Sequence, residues 1–448
     1  MNKNVIHNGV VKMLLLVSIL LFTTILTAQT EKTRTVEKTF DGKTALWASH
    51  RYGNLSLKKG SGDQIKAVLK LTATGKNAEE LEQFLNEFDL NATEAADNKI
   101  DIQTSSAIES WNSTGISNVM MKTTIKLRNG KTYTSIQKFN MTLELYVPKL
   151  RYATLENRYD AIKVEEGTTA ILGIKLYDGE IDAPGNYDKL NLEMKYSEGR
   201  VGNFNNSESE LYDCDITMGN GGNLTLKSKY SGVKIGSLQS LKMDTYDDDF
   251  KIANVKGAVE IKDKYSEFTF NGDIGDATLD LYDSKIITKN GGDIKVNDSK
   301  YTEYSFLDIK SLYFTSSYDD AVQVAKVGTL AADNSKYTEY EVGGLWKEIK
   351  FPASYDDAIR VRSVGETFSG LTFEGKYTDI TLPIPASVKY EIDAYAKYGE
   401  IIFPENSMET TIYKEKNDEV TLQAKIKGAD ANAPKVNIKS YDGTIKLN

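Results

Sequence analysis

Apolar and polar residues alternate in short stretches along most of the chain. Around Tyr230, for example, Leu224 and Leu226 come before the tyrosine, and Val233 and Ile235 come after it. Alternation with a period of two predicts half-buried β-strands, because successive side chains of a strand point to opposite faces. Turns rich in Gly, Asn and Asp separate these stretches. The pattern therefore predicts an all-β chain built from short strands.

Fifteen tyrosines between Tyr159 and Tyr441 share one local pattern, and neighbouring members up to Tyr398 lie 16 to 22 residues apart. From Tyr177 to Tyr377 the members alternate strictly between two kinds. In the first kind, here called a Tyr-Asp unit, an aspartate follows the tyrosine, as at Tyr177, Tyr212, Tyr246, Tyr282, Tyr318 and Tyr355. In the second kind, a Lys-Tyr unit, a lysine precedes the tyrosine and Ser or Thr follows it, as at Tyr196, Tyr230, Tyr265, Tyr301, Tyr337 and Tyr377.

A period of this size is typical of a solenoid, in which each unit buries its apolar face by stacking on its neighbours. Two coil lengths fit, about 18 residues with one tyrosine or about 36 residues with both kinds of unit. Stacked strands lie about 4.8 Å apart, so the longer coil would align Lys195, Lys229 and Lys264 as a column of like charges. The shorter coil places each lysine near the aspartate of the next coil and is favoured. The rule for parallel crossovers predicts right-handed coiling.

Three segments follow from these patterns. Residues 1–28 are predicted to be an export signal, because Lys3 and Lys12 supply a basic start before a mainly apolar run. That run is too short for a structural membrane helix, and no later stretch is predicted to span a bilayer. Residues 29–150 differ from the repeats and predict a strand-rich cap, and residues 151–448 predict the tyrosine-repeat solenoid.

The predicted cap carries one helix. Leu81, Phe84, Leu85 and Phe88 share one helical face, and Asn77 is placed to cap the first turn. Such a cap would cover strand edges that otherwise template aggregation.

Three further elements are predicted in the cap. Asn129-Gly130 between alternating stretches predicts a tight hairpin. Residues 104–118 are rich in Ser, Thr and Asn and predict a loop. The stretch Met141 to Val147 predicts a strand that ends at Pro148.

From this strand into Leu155 to Asp160 the sequence resembles a bacterial family of exported "putative adhesins" with a head GIN-type β-solenoid domain. Bends similar to that family's occur at Tyr52 to Leu55, Ser231 to Ile235, Tyr398 to Ile401 and Tyr441 to Ile445. The resemblance implies a parallel β-solenoid with an adhesin-like role, and the family brings no catalytic residues to this sequence. The chain departs from the family in carrying a tyrosine at nearly every bend.

Charge and cysteine content narrow the classes of partner and of chemistry. The formal net charge is −9, and loss of Lys3 and Lys12 with the signal makes it about −11, which predicts no nucleic-acid partner. The single cysteine, Cys214, forms no intrachain disulfide and is expected to be a half-buried strand residue. His50 is the one histidine beyond the signal and is expected at the surface or in the cap rather than as a catalytic base.

The tyrosines offer the main candidate for a ligand-binding surface. Stacked rings can lie against sugar faces, and flanking Asp and Lys can bond hydroxyl groups, although aromatic ladders also stabilise solenoids without any ligand. The candidate ligand-binding residues are Tyr246, Asp247, Tyr282, Asp283, Tyr318, Asp319, Tyr355 and Asp356.

Acidic runs suggest a second kind of site. Asp244 with Asp247 to Asp249, Asp319-Asp320 and Asp356-Asp357 could supply oxygens to calcium, but no calcium-loop motif is present, and a solvated acidic edge is favoured. No metal site, cofactor or catalytic residue is predicted.

These observations predict a non-catalytic, adhesin-like or scaffold protein of the bacterial envelope, located in the periplasm or at the cell surface. A glycan or an envelope protein is the expected partner. The alternative is a polysaccharide lyase or glycoside hydrolase on a β-helix, which would need two carboxylates across one cleft.

Overall fold

The computed structural model describes residues 29–105, 107–114 and 122–448, so the predicted signal at residues 1–28 lies outside the described part. The described chain is nearly all β-structure and forms a β-solenoid of about 13 turns with rungs of about 18 residues. No helix within the described ranges is long and apolar enough to cross a membrane.

The elements before the repeats are β1 (Thr30–Phe40), β2 (Ala45–Arg51), β3 (Asn54–Lys59), β4 (Ile65–Gly75), α1 (Ala78–Leu85), β5 (Leu90–Ala95), β6 (Lys99–Thr104), β7 (Ile108–Thr114), β8 (Lys122–Leu127), β9 (Thr132–Tyr133) and β10 (Ile136–Val147). The repeats contain β11 (Leu150–Arg158), β12 (Ile162–Val164), β13 (Thr169–Tyr177), β14 (Glu180–Lys195), β15 (Glu198–Tyr212), β16 (Asp215–Met218), β17 (Gly221–Lys229), β18 (Gly232–Leu238), β19 (Ser240–Tyr246), β20 (Asp249–Val255), β21 (Val259–Lys264), β22 (Glu267–Phe270), β23 (Ala277–Tyr282), β24 (Lys285–Lys300), β25 (Glu303–Tyr318), β26 (Ala321–Lys336), β27 (Glu339–Tyr355), β28 (Ala358–Val361), β29 (Gly370–Lys376) and β30 (Asp379–Thr381). The last elements are β31 (Glu391–Lys397), β32 (Glu400–Ile402), a 3₁₀ turn (Glu405–Ser407), β33 (Met408–Lys416), β34 (Glu419–Ile426), β35 (Lys435–Tyr441) and β36 (Thr444–Lys446).

Each rung carries one tyrosine bend, and neighbouring rungs pair in parallel. Tyr177 at the end of β13 is in register with Lys195 at the end of β14, 18 residues later. Lys195 is in turn in register with Tyr212 at the end of β15. The prediction of a parallel β-solenoid with 18-residue rungs is therefore confirmed, and the 36-residue coil is wrong.

The prediction that each lysine faces an aspartate of the next coil, which favoured the shorter coil, is wrong. Lys229 is in register with Tyr212 on one side and with Tyr246 on the other, not with an aspartate. The backbone amide of Asp213 donates to the carbonyl of Lys229 at 2.9 Å, one position further along the rung. The reason is that the lysine precedes its tyrosine whereas the aspartate follows its own, so the two charges occupy different columns.

Inward-pointing apolar side chains fill the space between the two strand segments of each rung. Along β20, Phe250 and Ile252 are buried while their neighbours face outward. The rings of Phe250 and Phe268, one rung apart, stack at 5.0 Å with an interplanar angle of 11°. Burying a side chain of this size stabilises the fold by about 1.5–3 kcal/mol. Each rung gains such contacts from its neighbours, so stability accumulates along the stack.

The parallel ladder begins before residue 150. β2 and β3 pair in parallel with β11 and β12, so residues 45–59 form a rung with Tyr52 at its bend. Beside β3 the ladder continues through parallel β10 and then antiparallel β4 and β1. Beside β2 it continues through parallel β6 and antiparallel β5. The division of the chain at residue 150 stays a prediction, and the ladder runs across it.

The predicted helix and hairpin of the N-terminal part are confirmed. The side chain of Asn77 accepts hydrogen bonds from the backbone amides of Glu79 and Glu80 at 3.0 and 3.2 Å, and this caps α1. The apolar face of α1 packs on β1 and β4. Asn129-Gly130 forms the turn between β8 and β9, where Gly130 has φ 85°.

The loop predicted at residues 104–118 is wrong over β7. This strand pairs antiparallel with β8 and builds a small separate sheet with β9. Polar Ser, Thr and Asn residues suggested a loop, but Ile108 is buried and the pairing with alternating β8 overrides local composition.

The C-terminal part enters the stack out of sequence order. β35 and β36 lie between two rungs that precede them in the chain, because β35 pairs in parallel with both β29 and β31. Likewise β36 pairs with both β30 and β32. β34 then pairs antiparallel with β31, and β33 pairs antiparallel with β34, so this hairpin covers the end of one sheet.

Candidate functional site

The tyrosine bends depend on one residue per rung with a left-handed backbone. In Lys-Tyr units this residue is the tyrosine, as at Tyr196 with φ 54°, and in Tyr-Asp units it is the following aspartate, as at Asp213 with φ 53°. The left-handed residue interrupts the strand alternation, so that Lys195 and Tyr196 both face outward before Ser197 turns inward. Such a backbone costs a residue other than glycine about 1–2 kcal/mol, so neighbouring rungs must hold it in place.

The outward tyrosine rings meet in one continuous row, here called the tyrosine column. From Tyr159 onward, successive rings contact edge to face, with centroids 5.2 to 6.1 Å apart and planes inclined by 75 to 86°. In spatial order the column contains Tyr52, Tyr159, Tyr177, Tyr196, Tyr212, Tyr230, Tyr246, Tyr265, Tyr282, Tyr301, Tyr318, Tyr337, Tyr355, Tyr377, Tyr441 and Tyr398.

The alternation of the two kinds of unit explains the edge-to-face geometry. The tyrosine lies one position earlier in a Tyr-Asp unit than in a Lys-Tyr unit, so successive rings are offset across the column. Tyr52 and Tyr159 are both left-handed residues, with φ 62° and 69°, and their rings instead lie nearly parallel at 18° and 5.2 Å. The guanidinium of Arg51 lies over both rings, 4.6 and 5.2 Å from their centroids. Aromatic pairs of these kinds contribute about 0.5–1.5 kcal/mol beyond their burial.

The predicted ligand-binding residues all lie on this edge of the solenoid. Tyr355 is exposed, and Tyr246, Tyr282 and Tyr318 are half-buried. The rings of Lys-Tyr units project further and are 42 to 46% exposed from Tyr196 to Tyr377. Ligand binding at these positions stays a prediction. The aspartates beside the four tyrosines are exposed, namely Asp247, Asp283, Asp319 and Asp356.

Two rows of opposite charge border the tyrosine column. Lysines of Lys-Tyr units lie on the side of the incoming strand, and aspartates of Tyr-Asp units lie on the side of the outgoing strand. Within the described part of the chain, neither row forms an ion pair between Lys195 and Lys376. Charges on the flat sheet faces behave differently, since Lys175 pairs with Glu193 and Lys242 with Glu260 across adjacent rungs. The bend charges are therefore available to a partner.

Behind the exposed column runs a line of buried polar side chains. Asp248 accepts hydrogen bonds from the hydroxyl of Ser228 at 3.0 Å and from the amide of Ser231 at 2.6 Å. Asp320 accepts from the amide of Thr302 at 2.8 Å and from the hydroxyl of Ser317 at 2.6 Å. Three of these four bonds connect neighbouring rungs beneath the bends, and the bond from Ser317 to Asp320 lies within one rung. Together they support the left-handed backbone there.

The acidic runs form a solvated edge only in part, because one member of each run points inward while its neighbours are exposed. Asp248, Asp320 and Asp357 are only 3 to 6% exposed. Burial raises the pKa of Asp248 and of Asp320 to about 6 and also raises the pKa of Asp357. Within the described residues, no cluster of three or more acidic, His or Cys side chains is arranged to hold a metal ion.

Cys214 and His50 are both buried. The thiol of Cys214 lies 3.3 Å from the carbonyl oxygen of Tyr212, and burial raises its pKa, which disfavours the reactive thiolate. His50 lies at the first rung, with its Nδ1 3.0 Å from the hydroxyl of Thr104. Burial lowers the pKa of His50 to about 3, so the ring stays neutral inside the cap rather than at a surface.

Two members of the column stand outside the strict alternation of units. Tyr52, in the bend-like run from Tyr52 to Leu55, belongs to the column although it precedes residue 150. Tyr441 sits between Tyr377 and Tyr398 in space. The signal there was that Tyr377 and Tyr398 both follow a lysine, so a Tyr-Asp unit was missing between them.

Comparison with known proteins adds little to this geometry. No family profile matches the sequence, and no curated protein matches it. The fold is similar to a "putative cell adhesion protein" from Clostridium sporogenes, with 10% identity, 93% of this chain and 99% of that chain covered, and a TM-score of 0.17. It is also similar to a "putative adhesin" from Bacteroides fragilis, with 14% identity, 62% and 95% covered, and a TM-score of 0.20. A "putative lipid binding protein" from Parabacteroides distasonis shares 10% identity over 77% and 97%, with a TM-score of 0.17. These likenesses are too distant to carry any argument about function.

Proposed function

We propose that this chain is an exported, non-catalytic, adhesin-like or scaffold protein of the bacterial envelope, and that the tyrosine column is its binding surface. The observation that carries the proposal is the length of the column, which continues without a break from the first rung to the last. Isolated exposed aromatic side chains are common on soluble proteins, but a contiguous aromatic strip of this size marks an interaction surface.

The arrangement of carboxylates argues against the alternative, a carbohydrate-active enzyme. Glycoside hydrolysis needs two carboxyl groups on either side of the scissile bond, one of them with a raised pKa. Here the exposed aspartates are equivalent from rung to rung. The carboxyls with raised pKa, such as Asp248 and Asp320, lie beneath the bends and are occupied by hydrogen bonds from neighbouring rungs.

The charges beside the column indicate the kind of ligand. A strongly anionic polymer would meet the aspartate row, and a strongly cationic one would meet the lysine row, so a partner with both signs or with none is favoured. A neutral glycan is the second candidate, because the prominent rings of Lys-Tyr units recur every second rung, about 9.6 Å apart. An extended sugar chain could place successive residues on such rings.

A binding comparison tests the proposal. Immobilised protein with Tyr246→Ala, Tyr282→Ala and Tyr318→Ala should lose most binding to envelope fractions and glycan arrays that the unmodified protein retains. These three tyrosines are not the left-handed residues of their bends, so the backbone tolerates the change. A matched control replaces exposed aromatic residues outside the column, Trp346→Ala and Tyr413→Ala. Equal binding by both variants would contradict the proposal.

Two further assays separate the remaining parts of the proposal. Incubation with polysaccharides, followed by measurement of reducing ends and unsaturated products, should show no turnover. Turnover that one carboxylate substitution abolishes would instead establish the enzyme alternative.

Protease treatment of intact cells should degrade the protein if it reaches the cell surface and spare it if it stays in the periplasm.

A further inference from the structure

The tyrosine column and its two borders have a shape that fits a second copy of the same chain. All rungs run in one direction, so the lysine row always lies on the incoming side and the aspartate row on the outgoing side. Rotating a copy by 180° about an axis parallel to the solenoid turns its column toward the first and exchanges left with right. The lysine row of each copy then faces the aspartate row of the other.

We propose that two copies pair edge to edge through their tyrosine columns, around a two-fold axis parallel to the solenoid. The inference rests on the proposed function in taking the column as the binding surface, and it names the partner. A two-fold interface uses the same patch on both subunits and closes on itself. The opposite arrangement, with antiparallel solenoids, would place lysine rows against lysine rows.

The sequence of the Lys-Tyr units gives most of their lysines a specific acidic partner in the other copy. Three residues after the lysine, most of these units carry an exposed glutamate on the outgoing strand, as in Lys300 and Glu303. If neither copy is shifted along the solenoid axis relative to the other, Lys300 of one copy faces Glu303 of the second copy at the same height. Within the described part of one chain these residues form no ion pair, and the same holds for Lys264, Glu267, Lys336 and Glu339.

The area of the column is sufficient for a stable pair. An aromatic side chain buries about 150–250 Å² when fully covered, and eleven tyrosines of the column are 36 to 52% exposed. The eleven exposed rings together offer on the order of 1,000 Å² per copy, and a stable interface needs about 800 Å² per partner. Tyrosine is also among the residues enriched at the centre of interfaces.

Charge exchange tests the pairing directly. One variant carries Lys264→Glu, Lys300→Glu and Lys336→Glu, and its counterpart carries Glu267→Lys, Glu303→Lys and Glu339→Lys. Analytical ultracentrifugation over roughly 1–100 μM should show a dimer for the unmodified chain. Each variant alone should dimerise roughly tenfold to a hundredfold more weakly, and an equimolar mixture should restore dimers because opposite charges face each other again.

A matched control reverses lysines on the flat sheet faces, namely Lys242→Glu, Lys310→Glu and Lys350→Glu. These substitutions change the net charge equally but lie outside the tyrosine edge, so dimerisation should be unchanged. A dimer equally sensitive to the control would overturn the edge-to-edge pairing, and so would a chain that stays monomeric throughout.

Cross-linking tests the direction of pairing. In a Cys214→Ser background, Tyr212→Cys and Tyr355→Cys place a thiol in opposite halves of the column. With parallel solenoids each variant forms a disulfide with itself, whereas antiparallel solenoids link only a mixture of the two variants.

A monomeric protein that still loses envelope binding on tyrosine substitution would contradict the self-pairing alone. If tyrosine substitution changes neither association nor binding, the proposed function fails as well.

Discussion

The hydroxyl of Ser284 donates a hydrogen bond to the carboxylate of Asp263 at 2.7 Å, and this bond joins two adjacent rungs beneath the tyrosine bends. The same carboxylate accepts from Thr245 on the opposite side and from Ser266 within its own rung, each at 2.6 Å. One buried side chain therefore links three successive rungs.

We expect Asp263→Ala to destabilise the solenoid by about 2–5 kcal/mol, because it leaves buried hydroxyl and amide donors without an acceptor. Denaturant unfolding followed by circular dichroism measures the loss. Asp244→Ala is the control, since Asp244 is exposed in strand β19 on a neighbouring rung and does not lie at a left-handed bend position. A loss no larger than that of the control would contradict the bridging role of Asp263.

The buried carboxyl of Asp320 should contribute more to the stability of the fold in mild acid than at neutral pH. Burial raises its pKa from an ordinary value of 3.8 to about 6, so the folded state holds the proton more tightly than the unfolded state does. This stabilisation is complete below pH 4 and is lost as the pH rises through 6, amounting to up to about 3 kcal/mol.

Replacing Asp320 with Asn should remove that dependence. Between pH 4 and pH 7, the difference in unfolding free energy between Asp320→Asn and the unmodified protein should shift by up to about 3 kcal/mol in favour of the variant. His50, whose pKa is lowered to about 3, acts with the opposite sign in both proteins, so its contribution cancels in the difference. Asp319→Asn, at the exposed neighbour, makes the same chemical change outside the buried line and is the control. A parallel profile for Asp320→Asn would be evidence against a protonated buried carboxyl.

The left-handed backbone predicts a sharp contrast between two nearby aspartates. Asp213 has φ 53°, whereas Asp215 lies exposed in strand β16. Asp213→Val should destabilise by about 1–2 kcal/mol, because a β-branched side chain clashes in the left-handed region. Asp215→Val should be neutral or slightly stabilising, because valine favours strands. Thermal unfolding of both variants decides the matter, and equal midpoints would speak against strain at Asp213.

The out-of-order C-terminal rung should behave as a separable insert. Removing residues 435–448 leaves β29 and β31 with unpaired edges on either side of a gap. A synthetic peptide of residues 435–448 should bind the shortened protein and raise its thermal midpoint, which calorimetry and thermal unfolding can follow. A control peptide with Val436→Asp and Ile438→Asp should not bind, because both side chains are buried in the rung. Failure of the natural peptide to bind would indicate that β29 and β31 close the gap by pairing directly.

Much of the architecture could be predicted from the sequence because its signals are local. The period of the tyrosines determined the rung length, and Asn77 with its apolar followers determined the helix. The alignment of lysines and aspartates on adjacent rungs could not be predicted in the same way, since it depends on which bend residue takes the left-handed conformation. That residue alternates between Tyr and Asp, and tyrosine rarely adopts such a backbone.

The burial of the inward aspartates is hidden in the sequence for a related reason. Asp248 stands among acidic neighbours in the sequence, yet in the solenoid it occupies the same position as Cys214 and Ser231 of earlier rungs. Both of those residues are small and buried, which was the available signal. No local sequence signal predicts the insertion of β35, because both strands with which it pairs, β29 and β31, lie far before it in the chain.

The alternating bends set the step by which such a chain can be lengthened. Duplicating a single rung would bring two tyrosines of one kind together, as at Tyr52 and Tyr159, and would replace an edge-to-face contact with a parallel one. Duplicating two consecutive rungs preserves every ring contact and both charged borders. Homologues and engineered versions that keep a functional edge should therefore differ in length by multiples of about 36 residues, so the evolutionary module is twice the structural one.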